Sequence, residues 1–457
     1  MDATSGATDG VDFVQHGMFH HVLKFFDPEE LLKLRVVNSH LKERVTDELF
    51  KTQDIYLHES TFETELASNI QNTKNLRIEG LQLRDETDTL FNGLTDGLFE
   101  GLESLSLAFT TDADTHGSIE TIMNKLKHPT NLLTLKITVW ESSHIGRLFE
   151  VLADNDLPLY KSVTNLEIIT HNYLQGSEKI TDFIGRFESL ERLQATPNAE
   201  FNPFPKLVEN NRVIQKLCIW TPDTQENCDI VSEFVNNSHV QELELQYIQF
   251  ENRTYNFNRI ASLKNLIVQN LSNVDISSLL SQNIDSLEEL HLNDVGLTGE
   301  QYDALLTDLD KCPNLTKIKI QNTNFDHETK VIDLASKVSM TNKFSLQEFN
   351  IAKNKLTKET LDAVLTHLKD IQSLRLIDLT CIKNIHEWKL EDLVDSLKKL
   401  ESTVRDKHVQ VNFSEHYFEY FCRDHKRVDA MKMINEAMRD IKVYFHPLQT
   451  EEKPKDE

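Results

Sequence analysis

The chain has 457 residues, 39% of them hydrophobic and 27% charged, and its 48 lysines and arginines against 74 aspartates and glutamates leave a formal charge of −26. That charge repels a phosphate backbone and argues against nucleic acid as a main partner, and no run approaches the roughly 20 apolar residues of a membrane span. The opening MDATSGATDGVDF has neither the basic start nor the apolar stretch of a secretory signal. The cysteines, Cys218, Cys228, Cys312, Cys381 and Cys422, are therefore expected in a reducing compartment, cytoplasmic or nuclear. Their odd number and the lack of a CxxC give no disulfide framework and no zinc site.

In chain order, residues 1–12 read as a disordered N-terminus and residues 13–50 as a small helical unit. Asp27 stands at an N-cap position, Pro28 at the first helical position, and Glu30 three residues after Asp27 completes a capping box. Before it, FVQHGMFHHVLKFF places Phe13, Met18, Val22 and Phe25 or Phe26 at mostly helical spacing; after it, a helix restarts from Asn38 or Ser39. Three short helices in so few residues bury little area alone, so a partner or the adjoining segment must supply part of their stability.

The stretch FDPEELLKLRVV, residues 26 to 37, resembles the LDPxDLLxLxxV of the F-box, the module that attaches substrate receptors of cullin-RING ubiquitin ligases to their Skp-family adaptor. Val22 and Leu23 stand where that family has an Ile-Phe or Ile-Leu pair. Val14-Gln15 replaces its usual Leu-Pro, and Leu41 its frequent Trp or Phe. The resemblance implies an adaptor surface made of Val14, Gln15, Met18, Val22, Leu23, Phe26, Pro28, Leu31, Leu34 and Val37. The alternative is that these helices only cap the repeats that come after them in the chain.

From residue 51 to 413 a pattern of the form LxxLxL recurs, as in LESLSL from Leu102, LLTLKI from Leu132, VQELEL from Val240, LEELHL from Leu287 and LTKIKI from Leu315. Its central apolar residues fall at 76, 105, 135, 166, 193, 217, 243, 266, 290, 318, 349 and 377, with gaps of 23 to 31. One short parallel strand per copy, with its apolar residues turned to a shared interior, is the expected structure. Between strands, LTGEQYDALLTDL at 297–309 and LTKETLDAVLTHL at 356–368 have helical periodicity, each opened by a threonine N-cap with a glutamate shortly after. The copies resemble leucine-rich repeats, those of 28 residues the ribonuclease-inhibitor subclass, with Asn354 and Leu356 at the asparagine-ladder and next core positions. The fold class implied is an α/β leucine-rich-repeat horseshoe solenoid preceded by the F-box-like unit. Residues 414–446 lose the pattern and read as one or two closing helices, and 447–457 as an acidic tail.

Catalytic signatures are missing: there is no GxxxxGK[ST], GxSxG, HExxH or GxGxxG, and no cofactor or metal is implied. Gly93, Gly97 and Gly101 read as a turn-rich connection, Cys422 and His425 as packing or surface residues, and the adjacent His20 and His21 do not chelate. Residues alternating with the core positions form the open face of the strands. There acidic residues (Glu79, Glu167, Glu242, Glu244, Glu289, Glu348, Asp378) nearly balance basic ones (Arg77, Lys136, Arg192, Lys216, Lys317, Lys319). Trp220 with Lys216, Glu242, Glu244 and Gln246, beside Cys218, has the composition of a binding hot spot, and His291 joins it as a candidate target contact. Together these features imply a non-catalytic receptor that holds an unidentified target protein on its repeats and the adaptor, with its cullin-RING ligase, on its F-box. A scaffold without adaptor, or an accessory factor for a small GTPase, are the other readings.

Overall fold

A computed structural model describes residues 54–58, 70, 73–83, 85–110, 116–140, 145–170, 178–196, 204, 207, 214–220, 225–246, 257, 262–270, 276–323, 329–382, 389–401, 409–414, 429, 432–434 and 441–446. The segments 1–12, 13–50 and 447–457 lie outside these residues, and so does every adaptor residue expected from the sequence. The chain divides between Glu191 and Arg192 into two compact units.

Unit one contains β1 (Asp54–His58), β2 (Asn75–Leu81), β3 (Ser104–Phe109), β4 (Thr134–Val139) and β5 (Asn165–Thr170), paired in parallel in chain order. Leu76, Leu105, Leu135 and Leu166 stand opposite one another, and Ile78, Leu107, Ile137 and Ile168 form a second layer two residues on. All eight are essentially inaccessible, and each such side chain contributes about 1.5–3 kcal/mol relative to exposure. Gly80, at φ 74°, takes the left-handed conformation at a β-bulge between Ile78 and Leu81, where a side chain would be strained.

The return path is helical: α1 (Asp85–Gly93), α2 (Asp96–Glu100), α3 (His116–Leu126), α4 (Ile145–Asp154), α5 (Leu159–Ser162) and α6 (Glu178–Gly185). The glycine-spaced segment is thus a helix junction. α1 ends at Gly93, Thr95 caps α2 by accepting from the Leu98 N–H at 3.3 Å, and Gly101 closes it. An aromatic cluster fills the layer under α4 to α6. Phe183 lies 5.4 Å from Phe149 and 5.0 Å from Phe187, edge-on to the latter, and Tyr160 meets Phe187 at 5.1 Å.

Unit two contains β6 (Arg192–Ala195), β7 (Lys216–Trp220), β8 (Glu242–Gln246), β9 (Asn265–Gln269), β10 (Glu289–Asn293), β11 (Lys317–Gln321), β12 (Glu348–Asn350), β13 (Leu376–Asp378), β14 (Val409–Ser414) and β15 (Ile441–His446), again parallel and in chain order. Leu193, Leu217, Leu243, Leu266, Leu290, Ile318, Phe349 and Ile377 align in one register. Every central apolar residue of the sequence pattern is therefore the second residue of a strand, with two exceptions in length only: β12 and β13 are three residues long. The closing helices expected over 414–446 need correction at their end. Residues 429 and 432–434 are helical, but Ile441–His446 is a strand paired with β14 from Val409↔Ile441 to Ser414↔His446. The alternation of IKVYFH, with Ile, Val and Phe on one side, has the period of two that a strand requires.

Helices α7 (Gln225–Asn237), α8 (Ile276–Gln282), α9 (Gly299–Leu309), α10 (Thr329–Thr341), α11 (Lys358–Leu368) and α12 (Leu390–Glu401) accompany these strands. Thr298 and Thr357 are the N-caps of α9 and α11. The reciprocal partner of Thr298 is Gln301, which donates its N–H to the threonine hydroxyl and accepts the Thr298 N–H on Oε1 at 2.9 Å. The neighbouring Glu300 only contributes charge near the helix start. Salt links join successive helices: Lys337 to Asp310 at 2.9 Å and Lys358 to Asp392 at 2.6 Å, with Lys330–Asp303 and Lys399–Asp362 besides. The Lys358 ammonium hydrogen-bonds Asp392 and holds that carboxyl below its ordinary range, as Lys337 does for Asp310.

After β9, β10, β11, β12 and β13 the chain turns through one residue of positive φ: Asn270, Asp294, Asn322, Lys353 and Cys381. The first four each donate the backbone N–H to a carbonyl of the next copy, at 2.8 to 3.3 Å. Asn and Asp tolerate the left-handed region best, which accounts for three of the five. Asn354, next to Lys353, is buried and gives its amide to the carbonyls of Ile320 (2.6 Å), Ile351 (2.9 Å) and Ala352 (3.3 Å), while its Oδ1 accepts from Thr323. It satisfies carbonyls that the turn removes from the strand ladder.

Candidate functional site: the open strand face of unit two

Because side chains alternate across a strand, β6 to β13 offer their first, third and, where long enough, fifth residues to the face away from the core, and β14 and β15, which begin one residue earlier in register, their second and fourth. Register pairing assembles them into rows. Row one runs Arg192, Lys216, Glu242, Asn265, Glu289, Lys317, Glu348, Leu376 and Gln410. Row two runs Gln194, Cys218, Glu244, Ile267, His291, Lys319, Asn350, Asp378 and Asn412 to Tyr444. Row three is Gln246, Gln269, Asn293 and Gln321, with Trp220 paired in backbone register to Gln246.

The near balance of charge counted in the sequence proves to be mutual neutralisation. Lys216 meets Glu242 at 2.9 Å, Lys317 meets Glu289 at 2.7 Å, and Lys319 meets Glu348 at 2.9 Å, each across adjacent strands or one strand on. In unit one Lys136 pairs with Glu167 at 3.0 Å and Arg77 with Glu79. The exceptions in unit two are informative. Arg192 has no ion pair among the described residues. Glu244 has none either: its Oε1 accepts from Gln246 and, at 3.1 Å, from Gln269, and its Oε2 is bonded to nothing among them. Asp378 accepts from the Asn350 side chain and the Thr380 N–H, both at 2.9 Å.

His291 sits in the middle of row two with Glu289 on its own strand, Lys317 and Lys319 on β11 and Glu348 on β12. Burial first, and then Lys319, push its pKa down to about 4, against the opposing pull of the two glutamates. The imidazole is thus neutral at physiological pH. Its Nε2 is buried without a hydrogen bond, 3.6 Å from Glu289 Oε2 and too far to bond it. Two residues on, Asn293 Oδ1 is also buried without a donor.

Of the six expected target contacts, the structure places Lys216, Glu242, Glu244, Gln246 and His291 on this face. Trp220 is the last residue of β7, in backbone register with Gln246. Cys218, grouped with Trp220 from the sequence, is buried and offers no contact surface. The carboxamides Gln269, Asn293 and Gln321 were missed as candidates. Their only signal was position: each is the fifth residue of its strand, just past the second core leucine, isoleucine or valine.

The described cysteines give no reactive thiol constellation: Cys218, Cys228 and Cys312 are buried, and burial raises the Cys312 thiol to about 12, where it donates to the Asp308 carbonyl. Cys422, His425, His20 and His21 fall outside the described residues. Among those residues no helix is long and apolar enough to cross a membrane, and no group of three or more His, Cys, Asp or Glu could hold a metal ion.

What the geometry defines at this point is an α/β repeat protein with an open polar strand face. No protein-family model and no curated protein matches the chain. Among solved structures it is similar to one described as a crystal structure of the Rad7 and Elc1 complex in yeast, at 15% identity and a TM-score of 0.42, over 87% of this chain and 89% of that one. A likeness at that level assigns no function.

Proposed function

We propose that the chain is a non-catalytic substrate-recognition subunit of a Skp-cullin-F-box ubiquitin ligase, with leucine-rich repeats that hold the target and an F-box that holds the adaptor. The observation that carries the reading is the conjunction, in one chain, of the F-box-like stretch at 26–37 with strand repeats whose open face is rich in hydrogen-bonding groups. A face of paired charges and carboxamides suits recognition of a polar protein surface, since such groups reward a matching partner and penalise one that leaves them unpaired. Ubiquitin transfer then belongs to other subunits, and this chain accelerates it by raising the effective concentration of target lysines.

The test is purification of the full chain from cells with the bound proteins identified by mass. A Skp-family adaptor and a cullin are expected in wild type and absent when Leu31 and Leu34 are both replaced by alanine. Recovery of neither from wild type leaves a scaffold and refutes the ligase reading.

A further inference from the structure

The proposed function leaves open what kind of target the face of unit two accepts, and the pattern of used and unused charges there narrows it. Resting on that reading, we propose that Glu244 is the receptor for an arginine of an extended target segment.

The lysines of β7 and β11 are consumed by glutamates of the same face. An acidic target would have to break those pairs to use them. Glu244 is the opposite case. Gln246 and Gln269, from its own and the next strand, both donate to Oε1, which fixes the carboxylate, and no described residue donates to Oε2. Ile267, opposite Glu244 in register, supplies a half-buried apolar neighbour for an alkyl stem. A guanidinium is a donor-only group whose planar fork matches a carboxylate, and here it would meet acceptors in excess. Asn293 Oδ1, two strands along, is a further buried acceptor awaiting a donor, which a main-chain N–H of the same segment could supply. Two strand spacings of roughly 4.8 Å and a two-residue offset along the strand of roughly 6.6 Å put the two acceptors about 12 Å apart, the span of three to four extended residues.

The experiment uses full-length protein, immobilised, and a displayed library of random dodecapeptides. Enriched peptides are expected to contain arginine, to lose at least tenfold in affinity on Glu244→Gln, and to change less than twofold on Glu300→Gln, which removes the same charge from the exposed start of α9. Glu244→Lys should enrich aspartate or glutamate at the position arginine held. Melting of each variant, measured alongside, should match wild type. Enrichment without basic residues, equal losses in both glutamine variants, or no enrichment at all overturns the proposal. Adaptor capture by the same preparations is scored separately: its absence would count against the ligase reading while leaving the Glu244 result to stand by itself.

Discussion

Units one and two use the same strand backbone but spend the outward third position differently. In β3, β4 and β5 of unit one that row is Ala108, Thr138 and Ile169, each below a tenth exposed, after a half-buried Glu79 on β2, whereas in β8 to β11 of unit two it is Gln246, Gln269, Asn293 and Gln321, all half-buried. The repeat therefore fixes where a side chain is presented, and the residue type and its covering decide whether the position is core or surface. Unit one carries the cluster of Phe149, Tyr160, Phe183 and Phe187 behind its strands; unit two carries the run of left-handed turns after β9 to β13 and the Asn354 hydrogen bonds. Among the described residues the third row is open from β8 to β11 and closed from β3 to β5.

The strongest test of this contrast is a charge placed at equivalent positions. Ile169→Asp should cost at least about 3 kcal/mol, because an unpaired carboxylate would be buried, while Gln321→Asp should stay within about 1 kcal/mol. Urea denaturation of the full chain measures both, and equal costs would erase the distinction. Phe183→Ala should cost a similar 3–5 kcal/mol by leaving a cavity beside Phe149 and Phe187. Asn354→Ala comes next, at about 1–3 kcal/mol for the carbonyls it strands, and thermal melting would show whether the turn depends on it.

A smaller effect is the pH response of His291. Its folded pKa lies below the ordinary 6.5, so the unfolded chain binds the extra proton first, and stability contributed through this residue is intact above about 6.5 and falls as pH drops toward about 4. His291→Gln should flatten that part of the stability profile relative to wild type; an unchanged difference curve would refute the assignment. Smallest of all, Lys216→Met should change stability by less than about 1 kcal/mol, since its pair with Glu242 is exposed.

Much of this was legible in the sequence, because the strand signal is local. Leu76 through Ile377 lie at the centres of apolar triplets, and each marks a strand. α9 and α11 followed from their threonine caps and helical spacing. What escaped depends on register between residues 23 to 31 positions apart: which lysine meets which glutamate, why Glu244 is left over, and why Ala108 and Thr138 are covered. The turn residues were hidden for another reason. Lys353 and Cys381 have no composition that announces a positive φ. Strand β15 was legible but overlooked, as its alternation follows a stretch of helical spacing. The adaptor segment remains an inference from FDPEELLKLRVV alone.

The most direct measurement of the central claim is calorimetric titration of the full-length chain with a purified Skp-family adaptor, for wild type and two variants. One-to-one binding at submicromolar Kd is predicted for wild type and for Glu244→Gln, with at least a tenfold loss, about 1.4 kcal/mol, when Leu31 and Leu34 are both alanine. No heat of binding from a folded wild-type chain at micromolar concentrations, or equal binding by all three proteins, would contradict it.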